Sequence, residues 1–282
     1  MRVLVVASAL IGLTTCPSIA DIVPASTAAQ LKNGRLEAAE QAFSALQSSF
    51  EQGRSTEFDL LDSYKVFYKE DAALAAALDE WIDAYPQSSY AYLARGVYYR
   101  KRGEERRGTN YVAKTPRADL AYMSSMFQKA KLDLAKSLQL NNRSYIAELH
   151  LLNIAQFEGD VLAARQALSN ATDLLPSNFL ARACYTVSLT PRWGGSYAQI
   201  DAFIARCRSQ GVAEETLALL QAIKLEDQGH RAEELGRTEE AMAFYKRALP
   251  LSRSGGPRFR RDYLQDTMRF CRHYQFGGAD CS

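Results

Sequence analysis

The chain has 282 residues, of which 47% are hydrophobic and 23% charged, with a formal net charge of +2. That length holds one large domain or two small ones. So nearly neutral a balance gives no bulk electrostatic reason to bind nucleic acid or an anionic membrane. No apolar run has the length of an integral membrane span.

Residues 1–20 read as a secretory signal peptide. Met1-Arg2 is a short basic start, Val3 to Leu13 is an apolar run, and Ser18-Ile19-Ala20 supplies small residues for cleavage after Ala20. An alternative places a lipoprotein anchor at Cys16, but Thr15 stands where bacterial lipoboxes favour Gly, Ala or Ser. The expected location is periplasmic or secreted. Of the five cysteines, Cys16 leaves with the leader, so Cys184, Cys207, Cys271 and Cys281 remain. In an oxidising compartment they suit two disulfides, in any of three connectivities. The local pairs Cys184–Cys207 and Cys271–Cys281 are favoured.

Residues 21–54 form an N-terminal helical segment, with Leu36, Ala39, Phe43, Leu46 and Phe50 in three-and-four steps after a break at Asn33-Gly34. Helices marked by Phe58, Leu61 and Tyr64, and by Leu74, Leu78 and Trp81, follow, the latter stopped by Pro86. A helical hairpin starts at Ser88-Ser89 and carries Tyr92, Gly96 and Tyr99. Its turn at Gly103 is enlarged by an insertion, with loop proper from Glu104 to Lys114 and an extended second helix entered at Thr115-Pro116. The most regular hairpin is Tyr145 to Asn178. Ile146, Leu149, Leu152 and Ala155 lie in its first half, Gly159-Asp160 punctuates it, and Ala164, Leu168, Ala171 and Leu175 stripe its second half. Asn178 is read as the cap of a helix to about Leu189. Thr190 to Gly195 breaks the chain, and Ser196 with Gln199 is a capping box for the next helix. A last hairpin runs from Leu217 to Leu251 with Gly229, Gly236, Ala241, Tyr245 and Ala248. Residues 252–282 hold a loop and one terminal helix, Phe259 to Tyr274. The fold class is all-α, and stacked hairpins imply a solenoid across 55–251.

These offsets resemble the tetratricopeptide repeat of about 34 residues. Ala164, Leu168, Ala171 and Pro176 match in one unit, and Gly229, Ala241, Tyr245 and Ala248 in another. A narrower resemblance spans Phe58 to Arg208. Trp81-Ile82-Asp83-Ala84-Tyr85-Pro86-Gln87-Ser88, Ala94-Arg95-Gly96, Arg107-Gly108 and Pro191-Arg192-Trp193-Gly194-Gly195-Ser196 are similar to a bacterial family of tetratricopeptide-like domains of unknown function. That resemblance implies the fold and no activity. The tetratricopeptide resemblance implies a peptide groove along the first helices, with Tyr90, Leu93, Val97 and Arg100, then Ile146, Leu149, Asn153 and Gln156.

Two irregular stretches replace ordinary turns, the insertion after Gly103 and the Trp193-Gly194-Gly195 loop. Solenoid turns share one edge, so these two are expected to meet beside Gly159 and build a composite site from Arg106, Arg107, Tyr111, Trp193 and Ser196. Arginines beside free backbone N–H groups favour an anionic or carboxylate-bearing ligand. The alternative is that Arg107 and Trp193 only lock the loops together and Ser196 is only a cap. The run Arg100-Lys101-Arg102 with Arg106-Arg107 is diluted by Glu104 and Glu105 and reads as a solvated helix end, as does Arg258, Arg260 and Arg261. His150, His230 and His273 have no metal-ligand spacing, and no nucleophile elbow, phosphate loop or dinucleotide fingerprint occurs. No catalytic residue, metal or cofactor is therefore indicated. The expected function is a non-catalytic scaffold for a protein or peptide partner. The alternative is an envelope enzyme or a binder of a small anionic ligand at the Arg107 and Trp193 loops.

Overall fold

Every regular element among residues 27–281, the part described by this computed structural model, is a helix. The expected leader, its cleavage point after Ala20, Cys16 and the helix start at Ala25 lie outside the described residues. The architecture is an all-α solenoid. Helices α1 (Thr27–Lys32), α2 (Leu36–Glu51), α3 (Glu57–Tyr64) and α4 (Ala72–Ala84) lead into four hairpins. These are α5/α6 (Ser89–Arg107, Arg117–Leu140), α7/α8 (Tyr145–Glu158, Val161–Leu174), α9/α10 (Leu180–Ser188, Tyr197–Ser209) and α11/α12 (Glu214–Glu234, Thr238–Leu251). Helices α13 (Gly256–Tyr263) and α14 (Gln265–Tyr274) complete the chain. Among the described residues no helix is long and apolar enough to cross a membrane.

Short-range chemistry sets many boundaries. Thr56 and Asp59 exchange side-chain and backbone hydrogen bonds at the start of α3. Asp71, Ser88, Asp160 and Ser196 each accept a first-turn N–H of the helix they precede. Gly159 ends α7 at φ +70°, a left-handed conformation that glycine adopts without a steric penalty. Packing then uses the small positions. A Cβ at Gly96 would sit 2.9 Å from Leu134, and one at Gly229 only 2.3 Å from the Tyr245 ring, so each glycine lets its partner helix close in.

The first helices α5, α7, α9 and α11 lie side by side, and α6 and α8 each bridge their own hairpin to the next. Across this inner layer come two segments from the ends of the chain. Helix α3 packs on α7, and the following turn packs on α5. From the other end, Phe259 and Tyr263 of α13 meet Phe179 at ring distances of 5.7 and 5.6 Å. The two ends then join each other. Arg258 donates to both carboxylate oxygens of Asp62 at 2.7 and 2.9 Å and lies 4.4 Å over Phe58.

Several sequence expectations need correction. Helix α5 does not turn at Gly103 but continues to Arg107, because Gly103 faces Phe127 of α6 and lets the two helices stay together. The loop proper is 108–116. Arg100, Arg102 and Arg107 are 5%, 4% and 5% exposed, so this run is no solvated helix end. The chain after α3 covers it. Arg102 donates to the carbonyl of Tyr68, and Arg100 lies 5.6 Å over the Tyr68 ring. Arg258 is likewise engaged, through Asp62.

Asn178 does not cap α9. Its side chain turns back to the carbonyl of Leu175, and Glu57 caps the helix from 122 residues away by accepting from the N–H of Phe179 at 2.7 Å. The terminal helix is broken at Leu264 into α13 and α14, since Glu226 draws in the N–H groups of Asp266 and Thr267. Cys271 and Cys281 form a disulfide, whereas Cys184 and Cys207 are free. The latter two cannot meet across α9. The Cys184 thiol points to Gln156 on α7, while Cys207 lies beside Arg182, two residues from Cys184 and so on another helix face.

Candidate functional site

The C-terminal ends of the inner helices surround a cavity of about 910 Å³. Its first wall is built by the two irregular loops. Gly108 ends α5 at φ +68° and sends the chain outward. Gly195 makes the second loop possible, since a Cβ there would strike the Leu189 carbonyl at 2.2 Å. The two loops touch each other. Arg192 donates to the Thr109 carbonyl and lies 5.0 Å over the Tyr111 ring. Trp193 meets Phe157 edge-on at 5.1 Å, and the Arg107 guanidinium lies 5.3 Å from Trp193 and 5.6 Å from Phe157.

Arg107 is the unusual member. Its Nη1 donates to the carbonyls of Gly108 and Asn110 at 3.0 and 2.6 Å, both in its own loop. Its Nε is buried without a hydrogen-bond partner. Burial, with the Arg192 charge nearby, lowers its pKa, which is the response of a cation that lacks a counter-ion.

The opposite wall comes from α11, α13 and α14. Glu226 accepts from the N–H of Asp266 at 2.7 Å and of Thr267 at 3.1 Å. Burial overcomes these bonds and pushes its carboxyl up to about 7. Asp227 accepts from the Tyr197 hydroxyl at 2.8 Å, and burial raises its pKa as well. His230 bonds Asp266 at 2.8 Å, and that bond raises the imidazole pKa while lowering the carboxyl's. A smaller cavity of about 220 Å³ lies against the first and shares Lys101, Glu104 and Tyr263 with it. His150 faces this space with both ring nitrogens unpartnered, and burial drives its pKa well down, so the ring is neutral.

The residues singled out from the sequence are distributed unevenly. Arg107 and Trp193 share the cavity wall. Tyr111 does not line the cavity; its hydroxyl donates to the Glu234 carboxylate at 2.9 Å and ties the insertion loop to α11. Arg106 points to solvent and pairs with Asp119 at 2.6 Å. Ser196 is the cap of α10, accepting from Gln199 N–H at 3.3 Å, and does not line the cavity. Of the groove residues, Gln156 borders the larger cavity, Arg100 and Asn153 border the smaller, and Tyr90 lines neither. Sequence reasoning missed the acidic wall. Glu226 and His230 are four residues apart on one face of α11, a signal that was readable. Asp266 joins them only through the fold.

Residues 27–160, just under half of the chain, match the family described as Domain of unknown function (DUF4034). The match ends before the Trp193 loop and all of the acidic wall. No curated protein and no solved structure matches the chain.

Proposed function

We propose that this chain is a ligand-binding solenoid whose cavity takes a small carboxylate-bearing ligand at Arg107. The observation that carries the reading is the state of that side chain. It is 5% exposed, sits between two aromatic rings, and among the described residues has no carboxylate partner. A buried cation is costly unless a counter-ion and hydrogen-bond acceptors meet it. A ligand carboxylate in the cavity supplies both, and the fixed guanidinium plane suits its two oxygens.

An extended peptide along Tyr90, Arg100, Asn153 and Gln156 would first have to displace α3 and α13, which lie over the inner layer. The scaffold reading therefore narrows to a partner that inserts a carboxylate end. The tetratricopeptide-like spacing supports a binding role of this kind. The leader-like start and the Cys271–Cys281 disulfide support a periplasmic or secreted location.

The test is calorimetric titration of the full chain with a panel of carboxylates, each beside its primary amide. Carboxylates should bind, their amides should not, and Arg107→Gln should abolish binding while keeping the helical circular dichroism. Trp193→Ala should weaken binding by about tenfold, a loss of about 1.4 kcal/mol. Equal binding of acid and amide, or full binding by folded Arg107→Gln, overturns the proposal.

A further inference from the structure

The cavity carries both signs of charge, and the pattern of pairing within it is uneven. Most of its ionic groups are already matched. Glu104 is held by Arg100 at 2.8 Å and Lys101 at 3.0 Å. Asp266 is held by His230 at 2.8 Å and Arg269 at 2.9 Å, and Asp262 by Arg261 at 3.0 Å. What is left over falls into two poles. On the loop wall, Arg107 and Arg192 make hydrogen bonds, among the described residues, only to backbone carbonyls. On the α11 wall, Asp227 is bonded by the Tyr197 hydroxyl, and Glu226 by backbone N–H groups and the Thr267 hydroxyl. Among the described residues neither carboxylate has a cation within ion-pair distance. Arg192 stands between the poles, close enough for its charge to act on Arg107, Asp227 and His230.

We infer that the ligand is a zwitterion, an amino acid or short peptide whose carboxylate meets Arg107 and whose ammonium group meets Asp227. This rests on the carboxylate reading above and adds the second pole. A dicarboxylate would leave Asp227 facing an anion, and a polyamine would leave Arg107 unpaired. Only a molecule with both charges answers both walls. The volume of about 910 Å³ lies in the range of pockets that enclose drug-sized molecules, so a short peptide fits as well as a single residue. The Trp193 and Phe157 rings, which line the cavity beside Arg107, give its apolar part a surface.

The test uses the full chain immobilised on resin and one pool of short peptides with free termini that together carry every side chain. The pool is applied untreated, after N-acetylation, and after methyl esterification, and retained peptides are read by mass spectrometry. The untreated pool should be retained, and each blocked pool should lose about tenfold or more, the cost of leaving one buried charge unmatched. Asp227→Asn keeps the acceptor oxygen for Tyr197 and should remove the discrimination between free and acetylated peptides. If the acetylated pool is retained like the untreated one, the zwitterion inference falls while the carboxylate reading stands. If the esterified pool is retained like the untreated one, the carboxylate reading itself falls. If no pool is retained, the zwitterion is overturned, and the separate acid-against-amide titration decides the carboxylate.

Discussion

Glu226 makes the stability of this solenoid depend on pH in an unusual direction. The carboxyl sits on α11, where it accepts the N–H groups of Asp266 and Thr267 and so anchors the start of α14. Those bonds and the helix terminus favour the charged form. Burial opposes them and wins, so the group titrates at about 7 in the fold against 4.5 without it. Over that interval the folded chain holds a proton that the unfolded chain has lost. Stability from this group is therefore complete below 4.5 and falls as pH rises through about 7. At about 1.36 kcal/mol per pH unit, the loss comes to about 3 kcal/mol by mildly alkaline pH. For a chain of this length that is a fall of about 6 °C in Tm.

Glu226→Gln isolates the effect. Its single amide oxygen accepts from one of the two N–H groups, and its NH2 stands where the protonated acid carries its O–H, within reach of the Thr267 hydroxyl, so the variant copies the neutral form of the carboxyl. Urea unfolding of both proteins should give equal stability near pH 4.5 to within about 1 kcal/mol, and Glu226→Gln should be the more stable by about 3 kcal/mol near pH 8. Other titrating groups, His230 among them, are common to both proteins and cancel in the difference. A gap that does not change with pH refutes the reasoning, as does a native protein that gains on Glu226→Gln as pH rises.

The elements that a sequence reveals are those whose cause is local. Tyr145 to Leu174 could be read because its stripe, its Gly159 turn and its Asp160 cap are all within a few residues of one another. Solenoid turns share one edge, and the loops that carry Arg107 and Trp193 lie together, with the guanidinium 5.3 Å from the indole. What could not be read were causes acting from far along the chain. The cap of α9 is Glu57, the break at Leu264 is enforced by Glu226, and the cover over the basic run is Tyr68. The same limit applies to the site. Arg107 looked solvated because its neighbours in sequence are charged, yet its neighbours in space are Phe157 and Trp193. The acidic wall draws Asp266 to His230 across 36 residues, and no spacing rule joins them.

Gly229→Ala should cost about 1–3 kcal/mol, because a methyl at 2.3 Å from the Tyr245 ring forces α11 and α12 apart; a neutral result in urea unfolding would refute the close packing. Alkylation of the non-reduced, unfolded protein should label Cys184 and Cys207 but neither Cys271 nor Cys281, and Cys271→Ser should cost about 2–3 kcal/mol; labelling of Cys271 and Cys281 would remove the disulfide. Glu57 offers the sharpest test of how the ends of the chain are held. Its carboxylate, 7% exposed, accepts from the Tyr145 hydroxyl and from the N–H groups of Phe179 and Leu180, and so joins α3 to α7 and to the start of α9. Glu57→Ala strands three buried donors, each worth about 1–3 kcal/mol when left unmade. Burial already works against the charge and raises the carboxyl pKa, so removing it relieves part of that cost. The net loss should be about 3 kcal/mol. Glu57→Gln keeps an acceptor oxygen for one of the two N–H groups and should lose about 1–2 kcal/mol, while the exposed Glu239→Ala should change stability by less than about 0.5 kcal/mol. Urea unfolding should thus rank Glu57→Ala below Glu57→Gln and both below the native chain. If Glu57→Gln falls as far as Glu57→Ala, the charge rather than the acceptor count fastens α3 across the inner helices. If neither falls, the carboxylate does not hold that segment, and the inner face is open to an extended peptide after all.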